Sequence, residues 1–191
     1  MLETIYLARH GFRLSWETNI WSSPTGTPRD PPLSAHGLDQ AAELAAHLAS
    51  LPKAQQPTAI VSSPLYRCLQ TAQPTARALG LAISVEHGVG EWYLKVPEAS
   101  RTQHPQSRKA GELKQWFDEI EPETDGRSLH YPSRRGESED EVHVRAAEAL
   151  KAVINRCERK GIERVIIFTH AATVSLDLSV SLGTFCARPG D

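Results

Sequence analysis

The sequence predicts an α/β fold, one domain over residues 1–191 built on a mostly parallel sheet. Two observations point to it. Four short apolar runs, near residues 4–8, 58–62, 83–86 and 164–168, alternate with stretches of helical periodicity, the pattern of βαβ units. Two of these runs also end in a histidine: Ile5-Tyr6-Leu7-Ala8 leads into Arg9-His10-Gly11, and Val165-Ile166-Ile167-Phe168 into Thr169-His170-Ala171. Ligand sites in open α/β sheets lie outside the carboxyl ends of the strands, so both imidazoles are expected in one pocket.

The elements follow in order. After the first strand, Phe12 to Pro32 lacks periodicity and carries Trp16, Trp21 and several prolines, as a binding loop would. Ser34 is a good N-cap for a helix whose apolar face is Leu38, Ala41, Ala42, Leu44, Ala45 and Leu48. The second strand opens into Ser62-Ser63-Pro64-Leu65-Tyr66-Arg67, and a helix follows Pro64 and stops at Gly80. The third leads into Gly88-Val89-Gly90-Glu91-Trp92-Tyr93. Lys95 to Arg135 reads as polar loop with one short helix near Leu113-Trp116-Phe117. From Glu139 to about Arg159, Val142, Ala146, Ala149, Leu150 and Val153 recur at helical spacing, and Gly161 closes the helix. A last helix is expected after His170.

Composition narrows the function classes. A formal net charge of −2 gives no global field for nucleic acid, and Arg134-Arg135 and Arg156 to Lys160, mixed with glutamates, read as solvated faces. Direct DNA binding is not expected. Cys68, Cys157 and Cys186 have no metal-ligand spacing, and an odd count suits a reducing compartment; Cys68 reads as a buried structural thiol. There is no secretory signal and no long apolar span, so neither secretion nor membrane insertion is expected. No HxH, HExxH or carboxylate cluster has metal spacing, so neither metal nor other cofactor is expected. His36, His47, His87, His104, His130 and His143 read as surface or capping residues.

The four strand exits together offer two arginines, two histidines and one carboxylic acid, a set able to move a phosphoryl group through a histidine. The words LARHG, PLSAHGLDQA, SSPLYRCLQTA, GVGEWY, RRGESEDEVHVR and IIFTHAA, in this order, resemble the histidine phosphatase superfamily of phosphoglycerate-mutase-like proteins. The resemblance implies a three-layer sandwich, here without the further strand that usually follows the last helix. It implies His10 as nucleophile, Arg9 and Arg67 as phosphate clamps with Arg13 as a third, and His170 as a hydrogen-bond donor to the phosphoryl oxygens. Guanidinium groups suit the clamp because they grip phosphate bidentately and stay charged. Glu91 is the candidate general acid, which requires a raised pKa; the alternative is a carboxylate that only orients His10 or an arginine. Trp92 and Tyr93, with Trp16 and Trp21, are candidates to wall a pocket for an aromatic phosphoester, although core packing explains tryptophans equally well.

No Glu-Trp-Asn-like word follows the first histidine as in mutases, and neither RHGxRxP nor a His-Asp pair marks the acid phosphatases and phytases. A first-branch phosphatase fits best. ARHGFR, SPLYRCLQT and GVGEWY are more narrowly similar to the phosphatase domain of the fungal 55-kilodalton tau subunits of transcription factor IIIC. That subgroup implies a phosphomonoester hydrolase acting on a phosphorylated small molecule or phosphopeptide, phosphotyrosine and other aryl phosphates included. It also implies protein partners in a transcription factor complex and a nuclear rather than cytoplasmic location. The alternative it leaves open is a non-catalytic assembly module of the RNA polymerase III machinery.

Overall fold

The structure, a computed structural model, describes residues 1–121, 128 and 130–175. Within them the expected strands β1 (Thr4–Arg9), β2 (Ala59–Ser62), β3 (Ile83–Val85) and β4 (Arg164–Thr169) form one parallel sheet in spatial order β1-β4-β2-β3. The helices are α1 (Ala35–Ser50), α2 (Tyr66–Leu79), α3 (Ala110–Leu113), α4 (Glu139–Arg159) and α5 (Ala171–Val174).

Side-chain alternation along the strands divides the core in two. Ile60, Ile166 and Phe168 pack with Leu48 of α1, Leu69, Ala72 and Ala76 of α2, and Leu113 of α3. Val61, Val165 and Ile167 pack with Ala149, Leu150, Val153 and Cys157 of α4. Helices therefore cover both faces, the three-layer arrangement expected, which explains why these strands are apolar at every position rather than at every second one.

The helix ends follow their sequence signals. The Ser34 hydroxyl accepts the Gly37 N–H at 3.2 Å, and Ser138 and Glu141 close a reciprocal capping box at the start of α4. Gly80 and Gly161 stop α2 and α4 at φ values of +66° and +65°, where a side chain is strained. The short helix lies a turn earlier than expected. Glu112 reaches back to the Lys109 N–H at 3.0 Å and starts α3 at Ala110, while Phe117 lies beyond the helix as a core plug. The helix expected after His170 begins as α5. The expectation of a missing strand concerns residues 176–191, which lie outside the described residues. No helix among the described residues is long and apolar enough to cross a membrane.

One close approach fixes the segment after β1. A Cβ on Gly37 would fall 2.0 Å from the Phe12 carbonyl oxygen, and one on Gly11 would fall 2.6 Å from that of Gly37. The backbones of the loop and of the first turn of α1 thus touch directly. Ser34 N–H donates to Phe12 O at 2.9 Å, Phe12 N–H to the Gln40 side chain at 2.8 Å, and Gly11 N–H to the Thr71 hydroxyl of α2 at 3.1 Å. Gly37→Ala is expected to lower stability by about 1–3 kcal/mol, the usual cost of overpacking. Gly111→Ala, at a site open to solvent, should be neutral or slightly stabilising. Urea midpoints of the two variants check this, and equal midpoints would contradict the backbone contact.

Candidate active site

The strand order builds the site. Because β4 lies beside β1 with Thr169 opposite Arg9, the next residues, His10 and His170, leave the sheet side by side. His10 N–H donates to Thr169 O at 3.0 Å, and the two imidazole centroids are 5.3 Å apart. On the other side of β4, β2 exits into Ser63 and the first turn of α2, which carries Arg67. The turn after β3 carries Glu91.

His10 is buried, and its Nδ1 lies 2.8 Å from Gly11 O. A carbonyl only accepts, so in the neutral ring Nδ1 holds the proton and Nε2 keeps its lone pair. Burial first, then His170 and Arg67, push the His10 pKa down to about 3. The ring is neutral near pH 7, the state a nucleophile needs. His170 is wholly buried. Its Nε2 lies 2.9 Å from the Ser63 hydroxyl, and its Nδ1 lies 3.4 Å from both Arg67 Nη2 and Glu91 Oε2. Burial lowers its pKa to about 4, with Glu91 opposing and Arg67 assisting.

Arg67 is the hub. Fully buried, it donates from Nη1 to Asp30 at 2.9 Å and from Nη2 to Glu91 at 2.9 Å, while its buried Nε–H has no protein partner. Arg13 likewise has a buried Nε without a partner. Arg13 and Arg67 line an open cleft of about 470 Å³ with Glu91, Trp21, Trp92, Tyr93 and Arg29. Arg9 is exposed; its guanidinium lies 5.3 Å from the Trp16 ring, which also carries Arg13 at 4.8 Å and sits 5.9 Å from the His10 ring. Trp21, Trp92 and Tyr93 are therefore walls of the cleft, while Trp16 supports two arginines.

Glu91 differs from the sequence expectation. Burial alone would raise its pKa, but His170 and Arg67 beside it and the Trp92 N–H reverse this and hold the carboxyl well below the usual range. As the side chains stand it is a carboxylate, not an acid. Its loop is held by a buried pair that the sequence did not disclose. Glu137 takes Arg145 bidentately at 2.7 and 2.8 Å, and Arg145 Nη1 donates to Gly88 O at 2.6 Å and Gly90 O at 3.2 Å. Glu137 O accepts the Trp92 indole N–H at 2.9 Å, so both flanks of Glu91 are tied to one ion pair.

His10, Glu91 and His170 place three possible metal-ligand atoms within 4.8 Å of one another, a cluster that short metal-binding sequence motifs do not reveal. Arg67 Nη2 already sits against two of these residues, so the cationic partner of this group is a guanidinium, and the free donors nearby favour an anion. Asp30 and Ser63 also belong to the site and were missed: their signal was only position, Asp30 between Arg29 and Pro31, Ser63 directly after a strand. Two histidines read as surface or capping residues, His87 and His104, are buried. His87 faces the Ser107 hydroxyl at 3.1 Å, and His104 bridges Arg29 and Leu94 O. Arg135, read as part of a solvated face, donates to the carbonyls of Pro97, Glu98 and Ser100. Cys68 is buried as expected, and burial pushes its thiol pKa up.

Three buried imidazoles make stability pH-dependent. Burial holds His10 at about 3 and His87 and His170 at about 4, whereas in the unfolded chain each titrates near 6.5. Between pH 6.5 and 4 the unfolded chain binds protons that the folded chain refuses, so stability falls as pH falls through this window. Melting temperatures should drop from pH 7 to pH 4.5, and His87→Gln should shorten the drop. An unchanged pH slope in that variant would contradict a neutral buried His87.

Comparison with known proteins agrees with this geometry. An ecdysone phosphate phosphatase from Bombyx mori, solved with tungstate, superposes with a TM-score of 0.69 at 20% identity, over 99% of this chain and 82% of that one. A phosphoglycerate mutase from Bacillus anthracis gives 0.61 at 16% identity, over 93% and 79%. Both share the fold. The transcription factor tau 55 kDa subunit of Saccharomyces cerevisiae is 35% identical over 190 residues, 94% of this chain but 41% of the relative, so the chain spans less than half the length of that protein. The family model for branch 1 of the histidine phosphatases matches residues 5–189, and with the two sheet-edge histidines and the buried arginine in place, the chain belongs to the histidine phosphatase superfamily.

Proposed function

We propose that the chain hydrolyses phosphomonoesters, aryl phosphates such as phosphotyrosine among them, through a phosphohistidine on His10. The observation that carries this reading is a neutral His10, its Nδ1–H held by Gly11 O, beside a buried Arg67 with a free Nε–H. In the first step the Nε2 lone pair attacks phosphorus. The ester P–O bond breaks, and the leaving oxygen takes the electron pair and a proton from Glu91. In the second step Glu91 takes a proton from water, the water oxygen attacks phosphorus, and the P–N bond breaks to release inorganic phosphate and neutral His10. Arg67, Arg13 and Arg9 bear the phosphoryl charge, and His170 hydrogen-bonds an oxygen as charge develops.

Glu91 must gain a proton before the first step. An arriving phosphate supplies the cause: it draws Arg67 onto its own oxygens and sets negative charge beside the carboxylate, and both changes raise the Glu91 pKa. Acid function then depends on substrate binding rather than on a standing raised pKa. None of these steps uses a metal.

The likeness to a transcription factor subunit favours a second reading, in which the domain serves assembly of a nuclear complex of the RNA polymerase III machinery. Copurification with partner subunits, retained in His10→Ala, would support that role.

His10→Ala is expected to abolish hydrolysis of an aryl phosphate, and a chelator to leave the parent rate unchanged. Turnover surviving in His10→Ala, or lost in chelator, would refute the mechanism. A second expectation concerns leaving groups. Glu91→Gln should slow alkyl phosphates by about 10²–10⁴-fold, the usual yield of proton transfer, yet affect nitrophenyl phosphate far less, whereas Arg67→Ala should impair both. Equal losses across a leaving-group series would assign Glu91 an orienting role.

A further inference from the structure

We infer that Arg29 forms a second anion subsite, which takes an acidic side chain flanking the phosphorylated aromatic residue of a peptide; this rests on the phosphatase reading above. Arg29 lines the same cleft as Arg13, Arg67 and Glu91. Among the described residues it is the only non-glycine residue with positive φ, at +62°. That backbone state is costly for a side-chain-bearing residue and is characteristic of functional sites. Here it has a visible result. Asp30 turns inward to the Arg67 guanidinium, while Arg29, its neighbour in sequence, stays exposed in the cleft.

The side chain is held in place by neutral groups. His104 Nε2 lies 2.8 Å from Leu94 O, which only accepts, so Nε2 carries the proton in the neutral ring and Nδ1 is free to accept from Arg29 Nη1 at 3.0 Å. The Arg29 guanidinium also lies 5.9 Å from the Tyr93 ring, which stacks on His104 at 4.9 Å. Neither partner cancels its charge. Arg67, by contrast, is engaged by Asp30 and Glu91.

The cleft is lined by three guanidinium groups and the carboxylate of Glu91, and with Asp30 behind Arg67 two carboxylates stand against three cations. A phosphoryl group answers Arg67 and Arg13. Trp21, Trp92, Tyr93 and Pro31 supply apolar wall for a ring, and Arg29 remains with positive charge to spare. A volume of about 470 Å³ leaves room for more than a phosphorylated ring. An acidic residue next to a phosphotyrosine meets all three requirements, whereas a lone aryl phosphate leaves Arg29 unanswered.

The test uses two phosphotyrosyl peptides that differ only in a Glu or a Lys beside the phosphotyrosine. For each, kcat/KM is measured on the chain, on Arg29→Gln and on Arg29→Glu, and binding is measured by fluorescence anisotropy in the His10→Ala background. The chain should prefer the Glu peptide by roughly threefold to fivefold, within the range an exposed ion pair supplies, and added salt should shrink the preference. Arg29→Gln should bring the ratio near one, and Arg29→Glu should invert it. A ratio unchanged in Arg29→Gln overturns the subsite and leaves the phosphatase reading intact. Selective binding without turnover upholds the subsite and overturns the hydrolytic reading.

Discussion

One buried guanidinium organises this molecule. Arg67 lies at the first turn of α2 with no exposure to solvent, and a charge so placed is tolerable only with partners. Asp30 and Glu91 supply them, one from the loop after β1 and the other from the turn after β3, so a single cation gathers segments that are far apart in the chain. Removing either partner from such a pair typically costs about 3–5 kcal/mol, because a buried charge is left uncompensated. The same arrangement sets the chemistry. For the proposed hydrolysis, a phosphoryl group would be an alternative partner of opposite charge, so that binding exchanges one ion pair for another instead of stripping water from an exposed arginine.

Much of this was legible in the sequence because it depends on local rules. Strands that are apolar at every position and end in Arg-His-Gly or Thr-His-Ala announce a parallel sheet with a loaded edge, and the structure has both. Ser34, Ser138, Gly80 and Gly161 mark helix ends through interactions within a few residues. What escaped reading arises across the fold. Asp30 is an ordinary loop aspartate until α2 brings Arg67 to it, and no local rule pairs Glu137 with Arg145 or aims Arg145 at the Gly88 and Gly90 carbonyls. His87 and His104 read as surface or capping residues because burial of an isolated histidine has no sequence signal.

The Glu91 discrepancy has a different origin. The sequence supplied the residue, and the role supplied the requirement for a raised pKa. The field of the neighbours supplied the opposite, since Arg67 and the Trp92 N–H favour the anion. A side chain's task in a cycle need not match its resting protonation, and in the proposed mechanism the phosphate charge is the agent of the change. The pair Glu137–Arg145 matters for the same residue in a mechanical sense, because it anchors the carbonyls before Glu91 and the indole after it.

The register of β1 against β4 has a further consequence. With Arg9 opposite Thr169, the distance between the imidazoles of His10 and His170 follows from the separation of neighbouring strands, about 4.8 Å in any sheet. His10, the proposed nucleophile, and His170 are thus gauged by backbone hydrogen bonds, not by the loops above them. The loop from Phe12 to Pro32 can change its lining without altering that gauge. A scaffold of this kind separates what reacts from what is recognised, and lets one chemical engine be fitted to many cargoes.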